Sequence, residues 1–145
     1  MQIYTNDIFE RNDMNYTTND YAALVLRSAL GLMLIAHSLL KFFVFTLAGT
    51  AGFFDSVGFP GWSAYIVAPF ELVAGLALVL GVYTRAFALA TIPVLIGALL
   101  VHSGNGWLFT NKNGGWEYPA FLVCAAITVA LLGGGRAAVI KGAQA

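Results

Sequence analysis

Residues 62–103 read WSAYIVAPFELVAGLALVLGVYTRAFALATIPVLIGALLVHS and contain two long apolar stretches with one short break between them. A helix that crosses a bilayer needs about 20 mostly apolar residues. Residues 62–81 and 85–103 both come close to that length, and only the turn at Gly81–Val82–Tyr83–Thr84 separates them. Because the connection is so short, the two helices must be antiparallel neighbours. This stretch therefore predicts a hairpin of two membrane spans.

Two further apolar stretches, residues 21–46 and 117–134, have the same character. Hydrocarbon cannot satisfy backbone polar groups, so such stretches are expected to be helical. The sequence shows no period-two alternation that would indicate a membrane barrel. We predict an all-α polytopic membrane protein, a four-transmembrane-helix bundle over residues 21–135. A polar N-terminal tail (1–20) and a short C-terminal tail (136–145) are expected to flank it.

The connections between the predicted spans are rich in turn-forming residues. Residues 49–61 contain four glycines and a proline, which predicts a loop between spans one and two. A second loop, at residues 104–115, contains four glycines and three asparagines. Neither region has the apolar length of a span.

The composition supports a lipid environment and excludes several classes of function. Of the 145 residues, 59% are hydrophobic and only 10% are charged, whereas about 25% are charged in an ordinary soluble domain. The formal net charge is zero, so nothing favours a nucleic-acid partner. The single cysteine, Cys124, excludes a disulfide within the chain. It is expected to be buried in span four as a small apolar residue.

The positions of Lys and Arg predict the orientation of the chain. Cytoplasmic loops of membrane proteins carry an excess of these residues. Five of the seven fall on the side of the N-terminus, and two fall on the other side. The five are Arg11, Arg27, Arg85, Arg136 and Lys141, and the two are Lys41 and Lys112. We therefore expect both termini to be cytoplasmic.

Aromatic residues cluster at one end of spans two, three and four. They are Trp62, Tyr65, Trp107, Phe109, Trp116 and Tyr118. Trp and Tyr are enriched where a membrane meets water, so anchoring in a belt is the first interpretation. A ring-lined mouth of a binding site is the alternative.

The charged residues inside the spans form the candidate site. On a helical wheel, Arg27, His37 and Lys41 of span one share an arc of about 120°. Glu71 of span two lies on a face of small residues that would let another helix approach closely. We predict a Lys41–Glu71 ion pair, direct or through water. Such a pair either belongs to a functional site or only holds two helices in register.

Other candidates and cofactors have weaker support. Arg27 lies near the end of its span, where a long side chain can extend to the headgroups. His37 and His102 both fall in the outer half of their spans, and two histidines can ligate haem. Two isolated histidines are poor support, so haem is disfavoured, and these residues alone assign no cofactor. No metal-binding, phosphate-binding or dinucleotide-binding motif is present, and we predict no metal site.

Several short motifs, in order, carry a family resemblance from Arg27 to Arg136. They are Arg27…Leu30–Gly31, His37-x-x-x-Lys41, Phe53–Phe54…Val57–Gly58–Phe59–Pro60, Glu71–Leu72-x-x-Gly75, Gly81…Thr84–Arg85, Asn105–Gly106–Trp107, Gly114–Gly115–Trp116–Glu117 and Gly133–Gly134–Gly135–Arg136. In this pattern the chain resembles the DoxX family of small four-helix bacterial membrane proteins. It departs from the family in its polar N-terminal tail and in the residues after span four.

The resemblance implies a prokaryotic cytoplasmic (inner) membrane protein. The family takes its name from a subunit of a thiosulfate:quinone oxidoreductase. This implies an accessory subunit of a membrane redox system, with other membrane or redox subunits as partners. His37, Lys41 and Glu71 are then candidates for binding substrate or quinone, because they offer hydrogen-bond donors and a proton-carrying group. Arg27 and His102 are secondary candidates, and no catalytic residue is identified.

Two other functions remain open on the sequence. A membrane scaffold without chemistry would need the polar residues for folding only. A small transporter is less favoured, because four spans show no inverted repeat. The sequence leaves the oligomeric state undecided.

Overall fold

The computed structural model describes residues 16–140, and this part of the chain contains no strand. The α-helices are α1 (Thr18–Leu39), α2 (Leu47–Ser56), α3 (Ala64–Leu80), α4 (Thr84–His102) and α5 (Glu117–Leu132). One π-helical turn, Leu40–Val44, extends α1, and short 3-10 turns precede α3 and follow α4. The prediction of an all-α chain is confirmed. The described residues form five α-helices rather than four.

The additional helix, α2, lies where the sequence predicted a loop, so that part of the prediction was wrong. Thr46 caps α2, and its hydroxyl accepts a hydrogen bond from the Gly49 N–H at 3.1 Å. Helix α2 ends before Gly58, whose φ of +88° is accessible to glycine at little cost. The glycines of this segment therefore flank and occupy a short helix, which packs against α3.

Three of the helical segments are long and apolar enough to cross a membrane. They are Thr18–Val44, Gly61–Leu80 and Thr84–Asn105. Helix α5 is also apolar but has only 16 residues. The aliphatic side chains on the outer surface, including Leu32, Val73, Leu89 and Leu131, are exposed. Such a surface is suited to lipid rather than to water.

The helices pack as two antiparallel pairs. Helix α1 makes its most extensive contacts with α3, and α4 makes its most extensive contacts with α5. Smaller interfaces, α1 with α5 and α3 with α4, join the pairs into a bundle. Its core consists of Leu30, Leu34, Ala74, Leu78, Ala88, Leu95, Leu122, Ala126 and Val129. We call the end where α1 begins the N-terminal end of the bundle, and the end that carries α2 the loop end.

Helices α1 and α3 approach closely through two glycines. A Cβ atom added to Gly31 would lie 2.7 Å from the Gly75 carbonyl oxygen, and one added to Gly75 would lie 2.7 Å from the Gly31 carbonyl oxygen. Small residues allow this kind of backbone contact between membrane helices. Ala68 and Ala74, on the same face of α3, are fully buried. This contact brings the polar residues of the two helices toward each other.

Arg27 is buried at the N-terminal end, with 0% of its surface exposed. Its guanidinium donates hydrogen bonds to the carbonyl oxygens of Leu78 (2.7 Å) and Val79 in the last turn of α3. It also donates to the carbonyl oxygens of Gly134 (2.8 Å) and Arg136 (3.1 Å), beyond α5. The expectation that Arg27 extends to the headgroups was wrong. Backbone carbonyls at the end of α3 and beyond α5 are nearer acceptors than the headgroups.

The segment after α5 folds back onto the bundle. The Arg136 N–H donates to the Asp20 carbonyl at 3.1 Å, and the Val139 N–H donates to the Leu80 carbonyl at 3.1 Å. The Arg136 guanidinium lies over the rings of Tyr16 and Tyr21. The first residues of the predicted C-terminal tail, up to residue 140, are therefore packed. Residues 1–15 of the predicted N-terminal tail lie outside the described part of the chain.

Cys124 lies on the exposed outer surface of α5, so the expectation of a buried cysteine was wrong. The buried positions of α5 are Pro119, Leu122, Ala125, Ala126 and Val129. They recur every three or four residues and leave Cys124 off the packed face. In a membrane helix an apolar neighbourhood in sequence does not imply burial in protein, because lipid faces the other side.

Candidate functional site

A cavity of about 810 Å³ lies toward the loop end. It is enclosed by α1, α3, α4 and α5 and lies under α2. This volume is typical of pockets that hold small molecules. Its wall is mainly aliphatic and aromatic, with Leu30, Leu34, Phe54, Phe59, Val94 and Leu122 among the residues that line it. An apolar ligand or an apolar ring would fit such a wall.

Polar side chains are confined to a few positions of the wall. His37, Lys41, Glu71 and His102 all line the cavity, so the structure brings four of the five candidate residues together. The fifth, Arg27, does not line the cavity and binds backbone carbonyls near the N-terminal end. It contributes to the stability of the bundle rather than to the site.

Lys41 and Glu71 form a direct ion pair across α1 and α3. Lys41 Nζ lies 2.7 Å from Glu71 Oε2 and 3.4 Å from the His37 carbonyl oxygen. The Lys41 side chain is 15% exposed and the Glu71 side chain is 8% exposed. Two opposite charges held at this distance in an apolar wall offer a ligand both hydrogen-bond donors and an acceptor.

Lys41 belongs to the π-helical turn Leu40–Val44 that extends α1. A π-turn contains more residues than an α-turn, and it occurs frequently at functional sites. Thr46 follows with φ 62° and ψ 156°, a conformation that costs energy for any residue other than glycine. The chain therefore changes direction sharply just after Lys41 and passes into α2, which covers the cavity.

Tyr118 also lines the cavity, whereas the first interpretation of the sequence placed it in an anchoring belt and only the alternative placed it at the mouth of a binding site. Its ring stacks on the His37 ring, with centroids 6.2 Å apart and planes inclined by 23°. The Tyr118 hydroxyl is buried and has no hydrogen-bond partner among residues 16–140. The sequence placed Tyr118 with the interfacial aromatics because it lies next to the end of a span. The following Pro119 at the start of α5 was a signal that the ring belongs to the first helical turn.

The other interfacial aromatic residues are arranged differently. Trp62, Tyr65, Trp107 and Phe109 are exposed. Trp107 packs edge-on against Trp116, with centroids 4.4 Å apart. Exposed rings at one end of a helical bundle fit an anchoring belt at a membrane surface.

His102 connects the cavity to the loop that follows α4. Its Nδ1 lies 3.0 Å from the Asn113 carbonyl oxygen and 3.1 Å from the Gly114 carbonyl oxygen. The Asn105 side chain donates to the same two carbonyls. Since a carbonyl only accepts, Nδ1 is the nitrogen that donates in these contacts. His102 thus holds the loop through Nδ1, and its Nε2 takes no part in these contacts.

Comparison with known proteins assigns the family. The DoxX family profile matches residues 22–104, which is more than half of the chain. The chain belongs to the DoxX family. The matched region covers α1 to α4 and includes His37, Lys41, Glu71 and His102, whereas Tyr118 lies beyond it. With three helices long and apolar enough to cross a bilayer, this DoxX protein is a membrane protein.

One curated relative comes from Bacillus subtilis (strain 168) and is named "Putative oxidoreductase CatD". The two proteins are 32% identical over 114 residues, which cover 79% of this chain and 81% of CatD. No solved structure is significantly similar to the chain. The resemblance to the DoxX family predicted from the motifs is confirmed.

Proposed function

We propose that this DoxX protein is an accessory subunit of a membrane redox system and that its cavity binds the ring of a membrane quinone. The Lys41–Glu71 ion pair carries this proposal, because it lies in the wall of a mainly apolar cavity of about 810 Å³. Intramembrane charges are costly, and they commonly mark functional sites. The oxidoreductase name of CatD supports a redox association.

The residues of the wall fit the chemistry of a quinone. A quinone ring is planar and carries carbonyl oxygens that accept hydrogen bonds. Lys41 has three N–H donors, of which two are directed at Glu71 and the His37 carbonyl, so one remains for a ligand. The His37 ring makes no hydrogen bond within residues 16–140, and its nitrogens can donate or accept.

We assign each side chain a role according to whether it can donate a hydrogen bond or transfer a proton. Reducing a quinone to a quinol requires two electrons and two protons. A bound quinone would accept the electrons from a partner redox subunit and the protons one at a time from Glu71, which would take up the second proton from water at the loop end between the two transfers. Glu71 is placed to hold or release a proton at its Oε1, since Oε2 is paired with Lys41. Lys41 orients the ring, and the apolar wall excludes water from it. The protein would then position the quinone for a partner that supplies electrons.

Quinone binding can be measured on the purified protein in lipid nanodiscs. We expect the wild type to bind a short-chain quinone, and Lys41→Met or Glu71→Gln to weaken binding about tenfold, as the loss of a charge-assisted hydrogen bond implies. Lys112→Met is the matched control, because Lys112 is exposed in the loop after α4. Absence of binding by the wild type, or equal losses in Lys112→Met, would contradict the proposal.

We also propose four spans, with both termini in the cytoplasm and the protein in the inner membrane. Helix α5 packs along α4 and, at ~1.5 Å per residue, approaches the thickness of the bilayer core. Arg85 and Arg136 lie at the N-terminal end of the bundle, whereas Lys112 lies at the loop end. Arg11 and Lys141, which contributed to the predicted orientation, lie outside the described residues.

A reporter fused after residue 145 tests this topology. An odd number of spans, or the opposite orientation, would move the C-terminus across the membrane. We expect a reporter that is active only in the cytoplasm to be active, and one that requires export to be inactive. The same pair of reporters inserted at Lys112, in the exposed loop, should give the reverse result. An exported C-terminus would contradict the proposed topology.

The scaffold function remains the alternative, and the close contact of Gly31 with Gly75 favours it. In that case the ion pair would fix the register of α1 and α3 without binding a ligand. The cavity distinguishes the two functions. A binding function uses an apolar space with polar groups at its wall, whereas a scaffold has no use for one.

A further inference from the structure

Two buried hydroxyl groups among residues 16–140 have no hydrogen-bond partner in the protein, Thr84 Oγ1 and Tyr118 Oη. Buried polar groups are nearly always paired, because an unpaired one loses its hydration without compensation. The two differ in position. Thr84 begins α4 at the N-terminal end and does not line the cavity, whereas Tyr118 begins α5 and does. Of the two, only Tyr118 belongs to the wall of a cavity that could hold a ligand able to supply the missing partner.

The surroundings of Tyr118 restrict the direction of its hydroxyl. The ring lies nearly parallel to the His37 ring at a centroid distance of 6.2 Å, and stacking of this kind limits ring rotation. Tyr118 is also packed against the hydrophobic core cluster. The phenol ring is therefore held by contacts that do not involve its hydroxyl.

Tyr118 and Lys41 approach the cavity at separate points. His37 precedes Lys41 by one helical turn, which is about 6 Å along α1. Tyr118 stacks on His37, whereas Lys41 pairs with Glu71 on α3. The polar contacts of the cavity thus lie at two positions that are separated along α1, and the rest of the wall is mainly apolar.

We infer that Tyr118 is a ligand-contacting residue whose hydroxyl donates a hydrogen bond to an acceptor oxygen on the bound ring. Resting on the proposed function, this assigns the ligand to rings that carry at least two oxygen acceptors, one for Lys41 and the other for Tyr118. The hydroxyl is buried in the ligand-free protein, so the groups around it must move before a ligand oxygen can reach it. An oxygen-free ring of the same shape cannot pair with it.

Tyr118→Phe tests this role, because it removes the hydroxyl and keeps the ring. The probes are dimethylnaphthoquinone and dimethylnaphthalene, which share a ring system and differ in the carbonyl oxygens. We expect Tyr118→Phe to weaken dimethylnaphthoquinone binding about tenfold and to leave dimethylnaphthalene binding unchanged. Without ligand, the variant should unfold at the same temperature as the wild type or higher, since an unpaired hydroxyl has been removed.

Thr84→Val is the matched control, because it removes the other unpaired hydroxyl at a site remote from the cavity. Its unfolding temperature should equal or exceed that of the wild type. It should bind both probes with the affinity of the wild type. Equal quinone affinity in Tyr118→Phe and the wild type would overturn the role of Tyr118 while leaving the proposed function intact. A lowered unfolding temperature, or failure of Tyr118→Phe to fold, would show a structural hydroxyl held by water and would also overturn it. A wild type that binds no quinone would instead overturn the proposed function itself.

Discussion

Arg27→Met should destabilise the protein by about 3–5 kcal/mol, because several buried or partly buried carbonyl groups lose a charged donor at once, at a cost of about 1–3 kcal/mol each. The Arg27 guanidinium binds carbonyl oxygens at Leu78, Val79, Gly134 and Arg136, and the substitution leaves all four without this donor. These contacts connect the end of α3 to the segment beyond α5. Arg27→Lys should recover only part of the loss, because lysine has three donors on a different frame.

The loss can be measured as the free energy of unfolding in mixed detergent micelles. Arg85→Met is the matched control, since Arg85 is exposed and its carbonyl contact, to Leu131, is long at 3.5 Å. The control should lose less than about 1 kcal/mol, as exposed charged groups usually do. Equal losses in the two variants would show that the buried guanidinium does not connect the helices as described.

Lys41→Met and Glu71→Gln should each destabilise the protein by about 2–4 kcal/mol, somewhat below the range for soluble proteins. Each substitution leaves one member of the 2.7 Å ion pair without its partner. The cost is smaller in a membrane protein, because a lone charge can draw in water or extend to the interface. The double variant should recover much of the loss, since it leaves no unpaired charge, and a double-mutant cycle measures this coupling.

The cycle also separates the two functions when quinone binding is followed in parallel. Restored stability without restored binding would assign Lys41 and Glu71 to the site. Restored stability in a protein that never bound quinone would favour the scaffold. Strictly additive losses would mean that the two side chains do not interact, contrary to the structure.

Much of the bundle could be predicted from periodicity and length. Apolar length predicted the three long helical segments, and the short turn at residues 81–84 predicted that α3 and α4 are neighbours. The sequence also predicted that the polar arc of α1 meets the small-residue face around Glu71, because intramembrane charges and close packing both require a protein surface. These two patterns predicted that Lys41 pairs with Glu71, directly or through water, and the structure shows the direct contact.

The remaining features depend on contacts between segments distant in sequence. The acceptors of Arg27 are backbone carbonyls more than fifty residues away, and no side-chain motif marks them. The π-turn at Leu40–Val44 has no compositional signature. Helix α2 was not predicted, because the glycines in this segment suggest turns. The structure shows a helix there that Thr46 caps. Tyr118 could be placed against His37 only after the packing of α5 on α1 was known.

The most direct measurement is photolabelling of native membranes with a light-activated quinone analogue, followed by mass spectrometry of the labelled peptides. The proposed site predicts adducts on segments that line the cavity, the end of α1 around His37–Lys41 and the start of α5 at Tyr118. Excess unlabelled quinone should prevent these adducts, and Glu71→Gln should strongly reduce them. Adducts confined to lipid-facing positions such as Leu32 or Leu131, unaffected by competitor and by Glu71→Gln, would contradict a quinone site in this cavity.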